Sequence, residues 1–393
     1  MTKTTNAFDV NSRASITAAV ILGTIGVLSF IVQPGLAFGF VSTFGTTEEV
    51  ANQLLATEGF GMASGALLFA IASRFLNWRH LVGIAIVAAA LGNMFSALAD
   101  SPNGAFRAAR FLTGLGEGGI IVLSFAIISL TARIERNLGI YLSVLLTYGA
   151  IGLWLVPYAL SAIGLKGVFW FWAILTGASF ATVFYSPTTA SVREAPSPTA
   201  IYVGPVMIAY AVFAILLYNA AIGVAWANLF FIGLEITSNE GAVANALLVS
   251  QFVAILGALL AIVAEKKISQ WAAIISGVLV GAASLSILMG KQSYAIFLIS
   301  VSVFNFAWNF LLPFLLSAIE DMRKGEMMTV TIATQIAGLT VAGPLIAAEI
   351  FARSGSIQVA IFTSVLLLIL SVIIFVPAKI MHDRLLKAEN SNL

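Results

Sequence analysis

The segment Arg110-Phe-Leu-Thr-Gly114-Leu-Gly116-Glu117-Gly118-Gly119 places a permanent cation and a titratable acid inside an apolar run that extends from about residue 105 to 131. Arg110 and Glu117 are seven residues apart, so on a helix they share one face and lie about 10 Å apart along the axis. The glycines of the segment permit a second helix to approach closely. The segment therefore predicts a tightly packed helix that carries charge.

The rest of the chain indicates that this helix lies in a membrane. Of the 393 residues, 60% are hydrophobic and 9% are charged. Apolar runs long enough to cross roughly 30 Å of hydrocarbon recur along the chain, and they lack the alternation of barrel strands. The sequence therefore predicts an all-α membrane protein with twelve transmembrane helices. Their expected positions are residues 15–43, 53–72, 81–100, 105–131, 140–163, 168–186, 201–231, 241–264, 271–290, 293–319, 327–350 and 357–378.

The basic residues predict how the helices are oriented. Fourteen of the nineteen Lys and Arg residues fall in alternate gaps or at the chain ends. Because positively charged loops stay in the cytoplasm, we expect both termini to be cytoplasmic. The absence of cysteine fits a bacterial inner membrane. The fourteen are Lys3, Arg13, Arg74, Arg79, Arg133, Arg136, Arg193, Lys266, Lys267, Arg323, Lys324, Lys379, Arg384 and Lys387, and the opposite gaps hold Lys166, Lys291 and Arg353.

A proline-rich stretch divides the chain into two halves of six helices each. Residues 187–200 contain three prolines and are expected to form a cytoplasmic linker between an N-terminal bundle, residues 1–186, and a C-terminal bundle, residues 201–393. The tetrapeptide Gly65-Ala-Leu-Leu of the second helix recurs as Gly257-Ala-Leu-Leu in the eighth. This recurrence at the same topological position favours a duplication, and hence two pseudo-symmetric six-helix bundles.

Over essentially the whole chain these residues resemble the major facilitator superfamily of transporters. The stretch from Arg110 to Gly118 follows the family pattern Arg-x-x-x-Gly-x-Gly-Glu-Gly. The fifth helix resembles the glycine-proline motif of the family, although Val156 stands where a glycine is expected before Pro157. That motif is associated with antiporters, so its erosion disfavours an exchanger. The signature loop after the second helix is a degenerate match, with Ser73 at its acidic position.

The fourth helix also resembles the anion:cation symporter branch of the superfamily. In that branch an arginine and a glutamate at this spacing are implicated in anion binding and proton coupling. Lipid exporters of the spinster type carry a similar string, so the motif does not indicate the direction of transport. The resemblance implies a secondary transporter with the major facilitator fold.

The chemistry of Arg110 and Glu117 suits proton-coupled anion transport. A guanidinium stays charged and presents a planar fork to a carboxylate, whereas a glutamate can gain and lose a proton. We expect both to face a central cavity, with Arg110 binding an anionic substrate and Glu117 carrying the proton. Glu58 is expected to be either a second proton site or a solvated acid near the membrane surface. The alternative for Arg110 and Glu117 is that they neutralise each other or nearby helix ends as part of packing.

The second half of the chain lacks strong charge within its spans and supplies amides and aromatic rings. The expected substrate-binding residues besides Arg110 are Tyr148, Trp154, Tyr218, Asn305, Trp308 and Asn309. For each of them, packing between helices is the alternative role. Such a site fits a small organic anion with a carboxylate at one end and an apolar or aromatic body at the other.

Other functional classes fit the sequence less well. His80 and His382 lie at helix ends, so an intramembrane Ser-His dyad has no base, and no P-loop is present. The net charge of +2 is scattered, so no nucleic-acid partner is implied. We expect a monomer without metal or cofactor that works by alternating access rather than as a channel or an enzyme. The alternative function is proton-driven export of lipids or amphipathic drugs.

Overall fold

A computed structural model of the protein describes residues 9–188, 203–264, 267–290, 292–322 and 327–390. Within these residues the regular structure is helical, which confirms the all-α prediction. The helices are α1 (Arg13–Ile25), α2 (Gln33–Phe44), α3 (Glu48–Ala72), α4 (Trp78–Leu98), α5 (Gly104–Ser129), α6 (Ile134–Ala178), α7 (Pro205–Thr237), α8 (Glu240–Ala264), α9 (Gln270–Ile287), α10 (Tyr294–Glu320), α11 (Met328–Ile336), α12 (Gly343–Ser354) and α13 (Ile357–Asn390).

The helices account for twelve membrane crossings. Ten helices among the described residues are long and apolar enough to cross a membrane, and the pair α1 and α2, bent by 46°, makes an eleventh crossing. Helix α6 contains two of the predicted spans, because Gly164 has φ 67° and ψ 174° and interrupts the helix. Glycine adopts this backbone conformation without a steric penalty. Once α6 is divided at Gly164, the predicted number of transmembrane helices is confirmed.

Side-chain caps set where many of the helices begin. Asn103 Oδ1 accepts a hydrogen bond from the Phe106 amide at 3.0 Å at the start of α5. Ser293 Oγ accepts one from the Ile296 amide at 3.3 Å at the start of α10. Each cap satisfies an amide of the first turn that has no partner within its own helix. Short polar residues between the apolar runs therefore define the helix starts.

Helices α3 and α5 pack with their backbones in contact. A Cβ atom on Gly114 would lie 1.9 Å from the Glu58 carbonyl oxygen, and one on Gly65 would lie 2.1 Å from the Leu115 carbonyl oxygen. Both distances are too short for any side chain, so the close approach depends on glycine on each helix. The glycine-rich segment of α5 thus holds α3 against the charged face of α5.

The repeated tetrapeptide has the same role in both halves of the chain. Gly65 on α3 lies against the backbone of α5, and Gly257 on α8 lies against that of α10, where an added Cβ would be 2.4 Å from the Phe306 carbonyl oxygen. In each half the second and fourth helices therefore pack through an equivalent glycine. The two halves therefore share this backbone contact at the position of the repeated tetrapeptide.

The two bundles meet on the side away from the chain termini, which we call the far side; the other is the terminal side. Helix α2 packs on α7, α3 on α12, and α6 on α8. Asn52 Nδ2 donates to Asn228 Oδ1 at 3.0 Å, and the Phe38 and Phe230 rings stack with centroids 4.9 Å apart. Both contacts lie in the far-side halves of their helices, so the bundles are joined there.

The predicted domain boundaries stay predictions. Most of the predicted linker, residues 187–200, lies outside the described residues, which resume at residue 203. Several basic residues used to predict orientation also lie outside the described ranges: Lys3, Arg193, Lys266, Lys291, Arg323 and Lys324.

Candidate proton and substrate site

Arg110 extends from α5 to a carboxylate on α3. Its Nη2 forms an ion pair with Glu58 Oε1, and its Nε donates to Glu58 Oε2 at 3.2 Å. Its Nη1 donates to Asn93 Oδ1 on α4 at 3.0 Å, and its guanidinium carbon lies 4.8 Å from the centroid of the Phe169 ring. Arg110 is 0% exposed. The two-pronged pair with Glu58 and these further contacts compensate its charge inside the first bundle.

Glu117 joins this group through a serine in the first crossing. Ser29 Oγ lies 2.7 Å from Glu117 Oε2 and 2.5 Å from Glu58 Oε1. One hydroxyl carries one proton, so it donates to only one carboxyl at a time. Both contacts are hydrogen bonds only when one of the two carboxyls is itself protonated. Arg110, Glu58, Ser29 and Glu117 are called the Ser29 cluster below.

The charge balance of the Ser29 cluster depends on protons. Its two carboxyls and one guanidinium give a net charge of −1 when both acids are ionised and zero when one of them holds a proton. Among the described residues no group of three or more His, Asp or Glu side chains could hold a metal ion. Each proton that the Ser29 cluster gains or loses therefore changes its net charge by one unit.

Glu58 lies deeper in its helix than the alternative of a solvated acid near the membrane surface requires. Helix α3 begins at Glu48, five residues before the predicted start at 53, so Glu58 is the eleventh residue of a 25-residue helix. Its exposure is 2%, so the alternative of a solvated acid near the membrane surface is wrong. The physical reason is that the polar first turns of α3 are part of the helix and pack inside the protein.

Arg110 and Glu117 also differ from the expectation that they face a central cavity. Glu117 is 1% exposed, and both side chains are enclosed by helices of the first bundle. The expectation that they neutralise each other directly is not met either, because Glu58 is the ion-pair partner of Arg110. In this structure Glu58 therefore occupies the guanidinium of Arg110 that was predicted to bind an anionic substrate.

A break in the first crossing connects the Ser29 cluster to two other helices. Tyr148 Oη on α6 donates to the Leu28 carbonyl oxygen at 3.0 Å. Trp226 Nε1 on α7 donates to the Phe30 carbonyl oxygen at 3.3 Å. Ser29 lies between Leu28 and Phe30 in the chain. Leu28 therefore contacts α6, Ser29 contacts the two acids, and Phe30 contacts the second bundle.

The predicted residues on α10 lie beside this break or within the second bundle. The Trp308 ring packs on Trp226 with centroids 5.7 Å apart, and it is partly buried. Asn305 is 0% exposed and its Nδ2 donates to Ser250 Oγ on α8 at 3.2 Å, so it joins α10 to α8. Asn309 Nδ2 donates to the Asn305 carbonyl oxygen at 3.0 Å. Trp308 thus contacts the residue that bonds the first-crossing break, whereas Asn305 is bonded within the second bundle.

Two of the predicted substrate-binding residues lie apart from the Ser29 cluster. Tyr218 is buried inside the second bundle, where it lines a small apolar pocket with Ile274 and Leu315. Trp154 lies on the exposed face of α6, where its ring packs on Tyr158 with centroids 5.6 Å apart. The structure thus brings Tyr148 and Trp308, but not these two, into the neighbourhood of the first-crossing break.

Two other acids, at far-side helix ends, form ordinary surface pairs. Lys166 pairs with Asp100, and this ammonium holds the pKa of the Asp100 carboxyl below its usual value. Arg353 pairs with Glu349, and both side chains are more than half exposed. Surface pairs of this kind contribute little to stability. They serve as controls for the buried acids.

Sequence reasoning missed Ser29 and Trp226. Ser29 is a single hydroxyl in an apolar run and belongs to no motif. The usable signal was Pro34, because a proline has no N–H and cannot bond the carbonyl of Phe30, four residues earlier; that carbonyl accepts the Gln33 amide instead. A buried donor such as the Trp226 indole can then bond that carbonyl. Sequence alone does not indicate which donor does so.

Comparison with known proteins gives a consistent picture of the fold. The family model described as "Major Facilitator Superfamily" matches residues 15–339. No curated protein matches the chain by sequence. Solved structures of several transporters share the fold over most of the chain.

An inward-open structure of the xylose transporter XylE from E. coli is 14% identical, with a TM-score of 0.74 over 92% of this chain and 94% of that one. The POT family transporter PepTSo is 13% identical, with a TM-score of 0.73 over 94% and 98%. The human organic anion transporter MFSD10 (TETRAN) is 16% identical, with a TM-score of 0.65 over 92% and 99%. At these identities the likeness shows the fold alone.

Proposed function

Since the chain belongs to the major facilitator superfamily and is a secondary transporter, we propose that it moves a small organic anion together with protons. As a member of that family it is an integral membrane protein with a small-molecule substrate, and it is not an enzyme. The observation that carries the proposal is the Ser29 cluster, in which one serine hydroxyl contacts two buried carboxyls and one of these is paired with a guanidinium.

Glu117 is the proposed proton-coupling residue. Arg110 forms its ion pair with Glu58 and not with Glu117, so we place the proton of the Ser29 cluster on Glu117. A buried charge at the centre of a bilayer costs about 2.5–3.5 kcal/mol on insertion scales. Loss of the proton from Glu117 therefore destabilises the closed bundle and favours a conformation in which water reaches the carboxylate. Proton binding and release thereby drive alternating access.

Glu58 is the proposed second proton site, and it controls the availability of Arg110. A second proton, on Glu58, removes the negative partner of Arg110 and leaves the Ser29 cluster with a net charge of +1. A substrate carboxylate then replaces Glu58 as the partner of the guanidinium, which offers the same planar fork to either carboxylate. The anion and the proton consequently bind together, as symport requires.

The proposed substrate has an apolar or aromatic body beside its carboxylate. The rings of Tyr148 and Trp308 are both partly buried near the first-crossing break and offer apolar faces to such a body. Structures with the same fold are named as transporters of xylose and of organic anions, so the fold does not choose among substrates. The charge of the Ser29 cluster supports the choice of an anion.

The proposed orientation places both termini in the cytoplasm of a bacterium, with the chain acting as a monomer. The fourteen basic residues that support this orientation include Arg74 and Arg79, which follow the terminal-side end of α3. Positive charge on one side of a bundle is retained in the cytoplasm during insertion. The terminal side is therefore proposed as the cytoplasmic side.

Proton and substrate flux in proteoliposomes test the proposal. The protein is reconstituted with a pH-sensitive dye inside the vesicles, and a panel of aliphatic and aromatic carboxylic acids and of lysolipids is added outside. We expect at least one carboxylate to acidify the lumen faster than in empty vesicles, which report passive leakage of the acids. Glu117→Gln should still bind that carboxylate but should not transport it, because an amide at residue 117 cannot release the proton that opens the closed bundle.

Glu349→Gln is the matched control, because Glu349 is an exposed acid at the far-side end of α12. It should retain proton-coupled uptake. Uptake that does not depend on pH, or full coupling in Glu117→Gln, would contradict the proposal. Binding of lysolipids without binding of carboxylates would instead support export of lipids or amphipathic drugs.

A further inference from the structure

We infer that Trp226 is a positioning residue that transmits protonation of the Ser29 cluster to the movement of the two bundles. The inference rests on the proposed proton coupling and identifies the contact through which it acts. The contact is the hydrogen bond from the Trp226 indole on α7 to the Phe30 carbonyl oxygen in the first crossing.

The first crossing is interrupted at the residue that contacts both acids. Helix α1 ends at Ile25, and α2 begins at Gln33 with a proline in its first turn. In between, the amides of Val27 and Leu28 bond the carbonyls three residues earlier, each at 3.3 Å, in place of the regular helical pattern. The Ile31 amide keeps a regular bond to the Val27 carbonyl at 3.0 Å, whereas the amides of Val32 and Gln33 again bond carbonyls three residues earlier. The segment is therefore a bonded but distorted link, with a short 3-10 turn at Phe30–Val32, rather than a continuous helix.

Side chains from other helices determine where the break lies. Tyr148 bonds the Leu28 carbonyl from within the first bundle, and Trp226 bonds the Phe30 carbonyl from the second bundle. Ser29 stands between them and contacts both acids. A displacement of Ser29 therefore moves the adjacent Phe30 carbonyl, and with it the partner of Trp226.

Proton loss supplies such a displacement. With one carboxyl protonated, Ser29 Oγ accepts a hydrogen bond from one acid and donates to the other. With both ionised, it can donate to only one, and the two carboxylates repel across it. The charged or titratable groups around Glu117 are Glu58 on α3, Arg110 on its own helix α5 and the Tyr148 phenol on α6.

Trp226 is placed to convey this displacement to the second bundle. It is 1% exposed, so its indole N–H loses an acceptor if the Phe30 carbonyl moves away. A buried donor without an acceptor is costly, so α7 must follow the carbonyl or change its conformation. The Trp226 ring also packs on Trp308, so the same movement reaches the proposed substrate site.

The distance between the bundles at different pH values tests the inference without a known substrate. The chain has no cysteine, so Phe75→Cys and Ile268→Cys provide two spin-label sites in exposed terminal-side loops of the two bundles. In lipid nanodiscs, the distance distribution of this labelled protein should shift with pH. Glu117→Gln should abolish the shift.

Trp226→Phe keeps an apolar ring and removes the indole N–H. We expect it to reduce the pH-induced change in the ratio of the two distance populations by about two- to tenfold, the factor expected for one hydrogen bond. Trp78→Phe is the matched control. Trp78 is also buried, and its indole donates to the Ser73 carbonyl oxygen at 2.8 Å within the first bundle. It should leave the pH response unchanged.

The outcomes separate this inference from the proposed function. A normal pH response in Trp226→Phe overturns the role of Trp226 while the proton coupling stands. A labelled parent protein that ignores pH, or a Glu117→Gln variant that keeps the response, overturns the proton coupling and the inference together. If Trp226→Phe does not fold, incorporation of 3-benzothienylalanine at Trp226, which has the ring shape of tryptophan without the N–H, gives the same comparison.

Discussion

Replacing each acid of the Ser29 cluster by its amide should affect stability to very different extents. In Glu58→Gln, Arg110 stays buried and charged but loses its carboxylate partner. In Glu117→Gln, an amide replaces a side chain that we propose to be a neutral acid. The Gln amide then donates to Ser29 Oγ in place of the carboxyl O–H. Glu58→Gln should therefore be the more destabilising of the two.

The expected magnitudes follow from the contacts that remain. Removing one partner of a buried ion pair typically costs about 3–5 kcal/mol. Arg110 retains the Asn93 oxygen at 3.0 Å and the Phe169 ring, so the lower end, about 3 kcal/mol, is expected for Glu58→Gln. Glu117→Gln exchanges one neutral hydrogen bond for another and should cost about 1 kcal/mol or less.

Unfolding in detergent at neutral pH, followed by tryptophan fluorescence, measures both free-energy changes against the parent protein. Glu349→Gln, in which an exposed surface pair is lost, should lie within about 1 kcal/mol of the parent. Equal losses for Glu58→Gln and Glu117→Gln would refute the reasoning. They would mean that Glu117 is ionised and that Arg110 serves both acids.

Three further predictions address the pair, the packing and the orientation. The double variant Arg110→Met with Glu58→Met should recover most of the stability lost in Glu58→Gln, because apolar replacement of a buried pair is often neutral. A double variant that is less stable than Glu58→Gln in the same unfolding assay would contradict this. Gly114→Ala should cost about 1–3 kcal/mol by forcing α3 from α5, whereas Gly177→Ala, with open space around its Cα, should be neutral or stabilising. A single Phe75→Cys should be protected from a membrane-impermeant maleimide in intact cells. Labelling of this cysteine would show that the terminal side faces outward, opposite to the proposed orientation.

The topology could be predicted from the sequence because hydrophobicity and charge act locally along a helix. The twelve crossings and the pairing of Gly65 with Gly257 as equivalent positions required no knowledge of which helices touch. The start of α3 was predicted too late because Glu48, Glu49 and Asn52 lower the local hydrophobicity of its first five residues. Asn52 is nevertheless buried, because Asn228 of the second bundle satisfies its amide. That partner is 176 residues away in the chain.

The sequence by itself determined that Arg110 and Glu117 lie on one helix within a membrane, since seven residues make two helical turns. Only the tertiary structure decided that Glu58 takes Arg110, that Ser29 joins the two acids, and that Trp226 bonds the broken first crossing. These residues come from α3, α5, α7 and the break in the first crossing. Which helix faces meet depends on how each helix is rotated about its axis when the glycine contacts form. Helical periodicity in the sequence does not specify that rotation.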